Sequence, residues 1–277
     1  MSGAVLGRRV MWPRPGTVVG LGLVGLFLAC AVVPGWIAPY PPNAFDFTAL
    51  MQAPSWAHPF GTDNFGRDVL SRTIWSSQVD LQIAVFCTVF PALFGTLVGS
   101  VLGYVGGWAD AVFRRLVDVF VTIPFLVIVI AIVAVLGPGL VNMYIAVSAV
   151  NWVIYARLMR GEVQVQAQRD YAAAGRVMGY GPVRIIFRHL LPNTISPILV
   201  YWMTDMALAI LLGSSLGYLG LGAQPPISEW GVLIADGKNF MTQAWWMSIF
   251  PGVAIVLAGT GFSLLGDAMA GWLRRRG

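Results

Sequence analysis

Phe125–Ala156 reads FLVIVIAIVAVLGPGLVNMYIAVSAVNWVIYA, two long apolar runs on either side of Gly137–Leu140, with no charged residue in either. Glycine and proline side by side are turn formers, so the chain reverses there. About 20 helical residues cross the ~30 Å hydrocarbon core of a bilayer. Two apolar helices joined by so short a turn form a membrane hairpin, and this hairpin decides the class of the protein.

The rest of the chain agrees. Of 277 residues, 57% are hydrophobic and only 10% are charged, whereas soluble domains carry about 25% charged residues. Apolar runs predict an all-α polytopic membrane protein with six spans at about 17–39, 81–105, 119–137, 140–158, 194–216 and 246–270. The polar, proline-containing stretch from Tyr40 to Asp80 falls outside the bilayer, as does most of Gly217 to Trp245. The resulting plan is an N-terminal segment with the first span and its loop (1–80), a five-span core (81–270) and a short tail (271–277).

Charge orients this layout. With the N-terminus in the cytoplasm, the cytoplasmic parts hold Arg8, Arg9, Arg14, Arg114, Arg115, Arg157, Arg160, Arg169, Arg176, Arg184, Arg188, Arg274, Arg275 and Arg276. The external parts hold Arg67, Arg72 and Lys238. That asymmetry obeys the positive-inside rule and places both termini in the cytoplasm. The net charge of +5 therefore records topology. No basic cluster interleaved with aromatics points to nucleic acid, and membrane lipid is the expected surrounding.

Several chemistries are missing. There is no G-x-x-x-x-G-K-[ST] phosphate loop, no H-E-x-x-H and no G-x-S-x-G motif. His58 and His189 fall on opposite sides of the membrane, so no metal site is expected. Cys30 and Cys87 lie in apolar runs and read as unpaired thiols. Cys30 is also preceded by LFLA, faintly like a lipoprotein cleavage site, but the chain stays hydrophobic to its end and the first run reads as a retained span. The chain is read as a non-enzyme that holds no cofactor of its own.

Gly95, Gly99 and Gly103 recur at four-residue spacing, as do Gly213 and Gly217, and small residues so spaced let helices approach closely. Packing within the chain is the default use, and a subunit interface is the alternative. Asp205 lies inside the fifth span and Asp267 late in the sixth. An intramembrane carboxylate is a candidate pathway residue.

The densest basic stretch is DYAAAGRVMGYGPVRIIFRHLLPN, Asp170–Asn193, between the fourth and fifth spans. Asp170 is expected to cap a short helix through Val177, Gly179 to end it and Pro182 to open a second, with Pro192 marking the next bend. Ala172, Ala173, Ala174 and Gly175 keep the first helix thin, while Tyr171, Ala174 and Met178 line one face, flanked by Arg176. Such a helix is shaped to enter a groove.

This stretch resembles the cytoplasmic E-A-A signature of ATP-binding-cassette importer permeases, in which a Gly follows the triplet and a Pro follows the Gly. The triplet falls on Ala173, Ala174 and Gly175, the glycine on Gly179, and Pro192 lies thirteen residues further. Ala173 stands where the family has Glu, and Gly175 where it has Ala. A second block, HPFGTDNFGRDVLSR (His58–Arg72), resembles the element after the first span in C-type permeases of dipeptide and oligopeptide importers. Tyr218–Gly237 and Phe250–Met269 are similar to the same branch, so the likeness covers nearly all of Pro59–Met269.

The resemblance implies a type I importer permease fold, with coupling helices at about 164–192. It implies a heterodimer with a B-type permease, one or two ATPase chains that bind ATP and Mg, an external substrate-binding protein and a peptide substrate, all at a bacterial cytoplasmic membrane. Asp170, Tyr171, Ala173–Arg176, Met178, Gly179 and Pro192 would form the ATPase-coupling loop. Gly61, Thr62, Asp63, Gly66, Arg67, Asp68 and Arg72 would form an outer cap or a docking surface for the binding protein. In the cap, Asp63 and Asp68 are expected to pair with Arg67 or Arg72 as modest surface ion pairs. Asp205, Gly213 and Gly217 are candidates for pathway or packing. Nickel chelates, glutathione or another small solute are alternative cargoes of the same importer class. An ion-coupled secondary transporter is the alternative class, and a membrane scaffold would leave these blocks unexplained.

Overall fold

The computed structural model describes residues 15–273, so Arg8, Arg9, Arg14 and Arg274–Arg276 lie outside the described residues. The described residues are mostly helical, without a named β-strand. Helix α1 (Pro15–Val32) is followed by one turn, α2 (Pro34–Ile37), and an irregular loop to Asp68. Helix α3 (Val69–Val105) is 37 residues long and begins well before the expected span. Its start is set by Asp68, whose carboxylate accepts the Ser71 amide as an N-cap.

The third expected span is not one helix. It divides into α4 (Gly107–Thr122) and α5 (Phe125–Leu136), which meet at 89°. Pro124 is the cause: it disfavours helical backbone at Ile123, which is extended at ψ 131°. The turn after α5 forms where Gly-Pro-Gly predicts it, with Gly137 and Gly139 at φ +92° and +144°. Asn142 locks it by donating to the carbonyls of Leu136 and Gly137 at 2.9 and 3.0 Å.

Helix α6 (Leu140–Gln166) runs the length of the bundle, and α3 packs along it. A Cβ on Gly95 or Gly99 would stand 2.4 Å from the carbonyl oxygen of Trp152 or Ala156. The glycine ladder is therefore used inside the chain, to bring α3 and α6 backbone to backbone. By length and apolarity alone, α1, α3 and the helices Pro182–Tyr218 and Trp246–Leu273 qualify as spans, and the bent α4–α5 pair adds a fifth. Helix α6 falls short because it carries Asn142, Asn151 and Arg157. It tolerates them because neighbouring helices cover it: Met143, Ala146, Tyr155, Ala156 and Met159 are fully buried.

Past α6 come α7 (Asp170–Val177) and α8 (Pro182–Ile185), then a π-turn at Ile186–Leu190 that leads into α9 (Leu191–Tyr218). The expected bend at Pro192 is absent, and the helix is continuous from Pro182 to Tyr218. A proline lacks one amide, and the wider π-turn just before it accommodates the change of hydrogen-bond register. Helix α10 (Trp230–Gly237) folds back onto α9 and α11 (Trp246–Leu273), and α11 closes the bundle against α1 and α9. Leu216, Ile83, Val129 and Met143 centre one core, while Phe27, Ile210, Trp230 and Phe262 centre another.

Candidate functional site

Two clusters of predicted residues lie at opposite ends of the bundle, and a buried carboxylate lies between them. At the α7 end, Arg169 is the helix N-cap, and Asp170 is the first helical residue rather than the cap. Its charge still sits in the first turn, where a helix N-terminus favours an acid. The other end of α7 is a Schellman closure. Gly179 has φ +76°, its amide donates to the Arg176 carbonyl at 3.0 Å, and the Tyr180 amide donates to the Gly175 carbonyl at 3.0 Å.

The two faces of α7 are unequal. Ala172 and Gly175 are buried, in reach of the cluster of Tyr155, Met159, Val163, Ile185 and Leu190. Ala174 is exposed on the other side, and Tyr171, Val177 and Met178 are 36%, 89% and 60% exposed. Val183 and Phe187 extend this apolar surface. The polar ties of the segment are local: Arg176 donates to the Ala167 carbonyl at 3.0 Å, and the Arg184 guanidinium stands 3.8 Å over the Tyr180 ring. Pro192 lies in the second position of α9 and is itself exposed.

The opposite end is interlocked. Asp63 accepts from Arg67 Nε at 2.6 Å and from Arg72 Nη1 at 2.7 Å, and its other oxygen accepts the amides of Phe65 and Arg67. Asp236 stands 3.5 Å from Arg72 and 3.9 Å from Arg67. Asp68 has a different partner from the one expected: it binds His58 Nδ1 at 2.9 Å and caps α3. These are not surface pairs, since Asp63, Asp68 and Arg72 are at most 5% exposed. Gly61 and Gly66 both take positive φ, and a Cβ on Gly66 would lie 1.8 Å from the Asp46 carbonyl oxygen. Thr62 joins the cap to α11 through its carbonyl, which accepts Trp246 Nε1 at 3.0 Å.

Asp205 is buried in mid-bundle and accepts from Asn151 Nδ2 at 2.8 Å and Tyr155 Oη at 2.7 Å, both on α6. It ties α9 to α6, a pairing that apolarity alone does not reveal. Gly213 and Gly217 are packing positions here. A Cβ on Gly213 would meet Ile83 at 2.5 Å, and one on Gly217 would meet Glu229 Oε1 at 1.6 Å.

Sequence reasoning passed over Glu229 and Asp80. Glu229 is fully buried and caps α10 by accepting the amides of Gly231 and Val232 at 2.8 Å each. Burial pushes its carboxyl up to about 7, against the opposing pull of those two amides. Asp80, fully buried on α3, accepts the Trp230 amide at 3.2 Å. For Glu229 the available signal was an acid directly before an apolar helical run, a weak one. No group of three or more metal-ligating side chains converges among the described residues.

The family model for "Binding-protein-dependent transport system inner membrane component" matches residues 95–276. The dipeptide transport system permease protein DppC of Escherichia coli (strain K12) is 42% identical over 260 residues, 92% of this chain and 87% of the relative. The probable D,D-dipeptide transport system permease protein DdpC of the same organism is 38% identical over 266 residues, 95% and 89%. The glutathione transport system permease protein GsiD of Shigella flexneri serotype 5b is 41% identical over 245 residues, 88% and 81%. Among solved structures, the MetNI methionine ABC transporter in inward-facing conformations matches with TM-score 0.50 at 17% identity, over 73% of this chain and 96% of that one. That last likeness concerns fold alone. Apolar helices packed through glycines, a slim helix at one end of the bundle and matches over most of the chain lead to one conclusion: the protein belongs to the family of binding-protein-dependent transport system inner membrane components.

Proposed function

We propose that this chain is the C-type permease subunit of an ATP-driven importer of dipeptides or oligopeptides. The observation that carries the reading is α7, a slim helix closed at Gly179 that turns Tyr171, Ala174, Val177 and Met178 outward. The names of the relatives support the peptide substrate. In this reading the α7 end is cytoplasmic, as the arginine distribution favours, both termini lie on that side, and α7 enters a groove on an ATPase partner. ATP and Mg²⁺ are bound by that partner, and a B-type permease completes the pathway. The chain makes and breaks no covalent bond.

Coupling then follows from the contacts. A push on α7 is delivered through Ala172 to the cluster of Tyr155, Met159, Ile185 and Leu190, which belongs to α6, α8 and the π-turn before α9. Asp205 holds α9 to Asn151 and Tyr155 of α6, so the two long helices tilt together. Alternating access would come from that joint tilt against the partner permease. The opposite end, stiffened by buried ion pairs, would face the substrate-binding protein.

The test uses the purified complex. Dipeptide-loaded binding protein should raise its ATP hydrolysis, and the free binding protein should not. A response to loaded glutathione or a nickel chelate alone would replace the peptide reading, a possibility to which the GsiD match gives weight. Orientation is tested separately in intact cells. Cysteines at Asn64 and Gln224 should react with an impermeant thiol reagent from outside, and one at Gln166 should not; labelling at Gln166 would invert the layout.

A further inference from the structure

Between α4 and the last turns of α6 lies a cavity of about 720 Å³ whose wall includes Arg114, Arg115, Arg157 and Arg160. It sits toward the α7 end of the bundle but is formed by different residues from the α7 surface. Its charges are not balanced. Arg160 is held by both oxygens of Asp110, which Arg114 also approaches at 3.5 Å. Arg115 reaches Asp118 at 3.8 Å, with side chains 88% and 67% exposed. Arg157 is exposed and has no ion-pair partner among the described residues. Four guanidinium groups thus face two carboxylates.

The remaining surface is apolar. Val117 and Val121 belong to the cavity wall, and Val112, Val119 and Val121 expose more than half of their surface along α4. Because α4 meets α5 at 89°, it runs across the direction of the membrane-crossing half rather than continuing it. A helix so placed, apolar on one side and charged on the other, has the character of an interfacial helix, and Arg157 and Arg160 of α6 make the cavity beside it basic. Basic pockets between helices near the cytoplasmic surface suit anionic headgroups, and a guanidinium matches a phosphate in two-point geometry.

We propose that this cavity binds the headgroup of an anionic phospholipid, with the phosphate held by Arg114, Arg115 and Arg157 and the acyl chains laid along the valines of α4. The site goes beyond peptide import and stands whether or not α7 contacts an ATPase. Arg160, already occupied by Asp110, fixes α4 against α6 and shapes the pocket.

The experiment places the whole importer complex in nanodiscs of two parts phosphatidylcholine to one part phosphatidylglycerol, then counts retained phosphatidylglycerol by native mass spectrometry. Arg114→Gln with Arg157→Gln should lower retention roughly tenfold or more, because each arginine near an anionic surface contributes several-fold. Arg157→Lys should keep most of it, and Arg188→Gln, a basic residue outside the cavity, should change nothing. If the double variant does not assemble, the exposed Arg115→Gln alone should still lower retention roughly threefold. Unchanged retention in these variants overturns the proposal. So does displacement of the lipid by millimolar inorganic phosphate, which would make this a free-phosphate site. Loss of the partner permease with retention intact would reveal a protein contact and overturn it as well.

Discussion

The two ends of this molecule are built on opposite principles. At one end, Asp63, Arg67 and Arg72 form a largely buried ion network edged by the exposed Asp236, and Tyr40, His58 and Trp246 add further hydrogen bonds. At the other, α7 is tied by short-range contacts and leaves Val177 and Met178 in the open. The first arrangement resists deformation, and the second presents a surface and waits for a partner. The proposed conversion of motion at one end into opening at the other needs both, because a push on a soft lever does work only against a stiff frame.

The strongest way to break this contrast is at Asp63. Replacing it with Asn leaves Arg67 and Arg72 largely buried without their main counterion, and removing one partner of a buried pair typically costs about 3–5 kcal/mol. Asp63→Asn should therefore lower the thermal midpoint of the purified complex sharply and reduce its yield. The assembled fraction should keep its ATPase subunits. A midpoint unchanged within error would mean that the Asp63 end is not the stiff one.

Gly179→Val probes the opposite end. Its φ is +76°, and a Cβ there meets nothing within 4 Å, so the penalty is purely conformational. Such strain costs about 1–3 kcal/mol, confined to the α7 closure. The thermal midpoint should move little, while stimulation of ATP hydrolysis by loaded binding protein should be lost. Gly179→Asn, which tolerates left-handed backbone better, should recover part of the stimulation. Full coupling in the Val variant would remove α7 from the transmission path.

The smallest effect is expected from pH, at Glu229. Its folded-state carboxyl sits at about 7, above its ordinary 4.5, so the folded protein favours the proton. The corresponding stability is complete below about 4.5 and is lost as pH rises through about 7. The wild-type midpoint should fall by a few degrees across roughly pH 5 to 8. Glu229→Gln, a permanent stand-in for the protonated form, should flatten that slope. An equal slope in both proteins would assign the pH response to other groups.

Much of this was legible in the sequence, for a reason particular to membranes. A bilayer core offers no water to satisfy backbone groups, so long apolar runs must be helices, and α1, α9 and α11 lie where the runs lie. The closure at Gly179 was also legible, because a residue past a helix end must take positive φ and glycine does so without strain. Hidden instead were the features that depend on what lies opposite. Pro124 announces a break but not its angle, which packing sets. Asp68 could have met an arginine as easily as a histidine. Asp205 is visible as an acid in an apolar run, yet its partners Asn151 and Tyr155 are some fifty residues away.

Composition and local pattern alone determined that the chain is a helical membrane protein, where its apolar stretches run, and that a slim glycine-closed helix stands beyond the fourth of them. These follow from solvent and backbone, which act on each segment independently of the others. Only the tertiary structure decided that α4 and α5 meet at a right angle, that Asp63, Asp68 and Arg72 are buried, that Glu229 rests against Gly217, and which face of α7 remains free. Those outcomes depend on which side chains share a space once α3, α6, α9 and α11 have packed. Close packing between distant segments is a property of the whole chain, and no single segment encodes it.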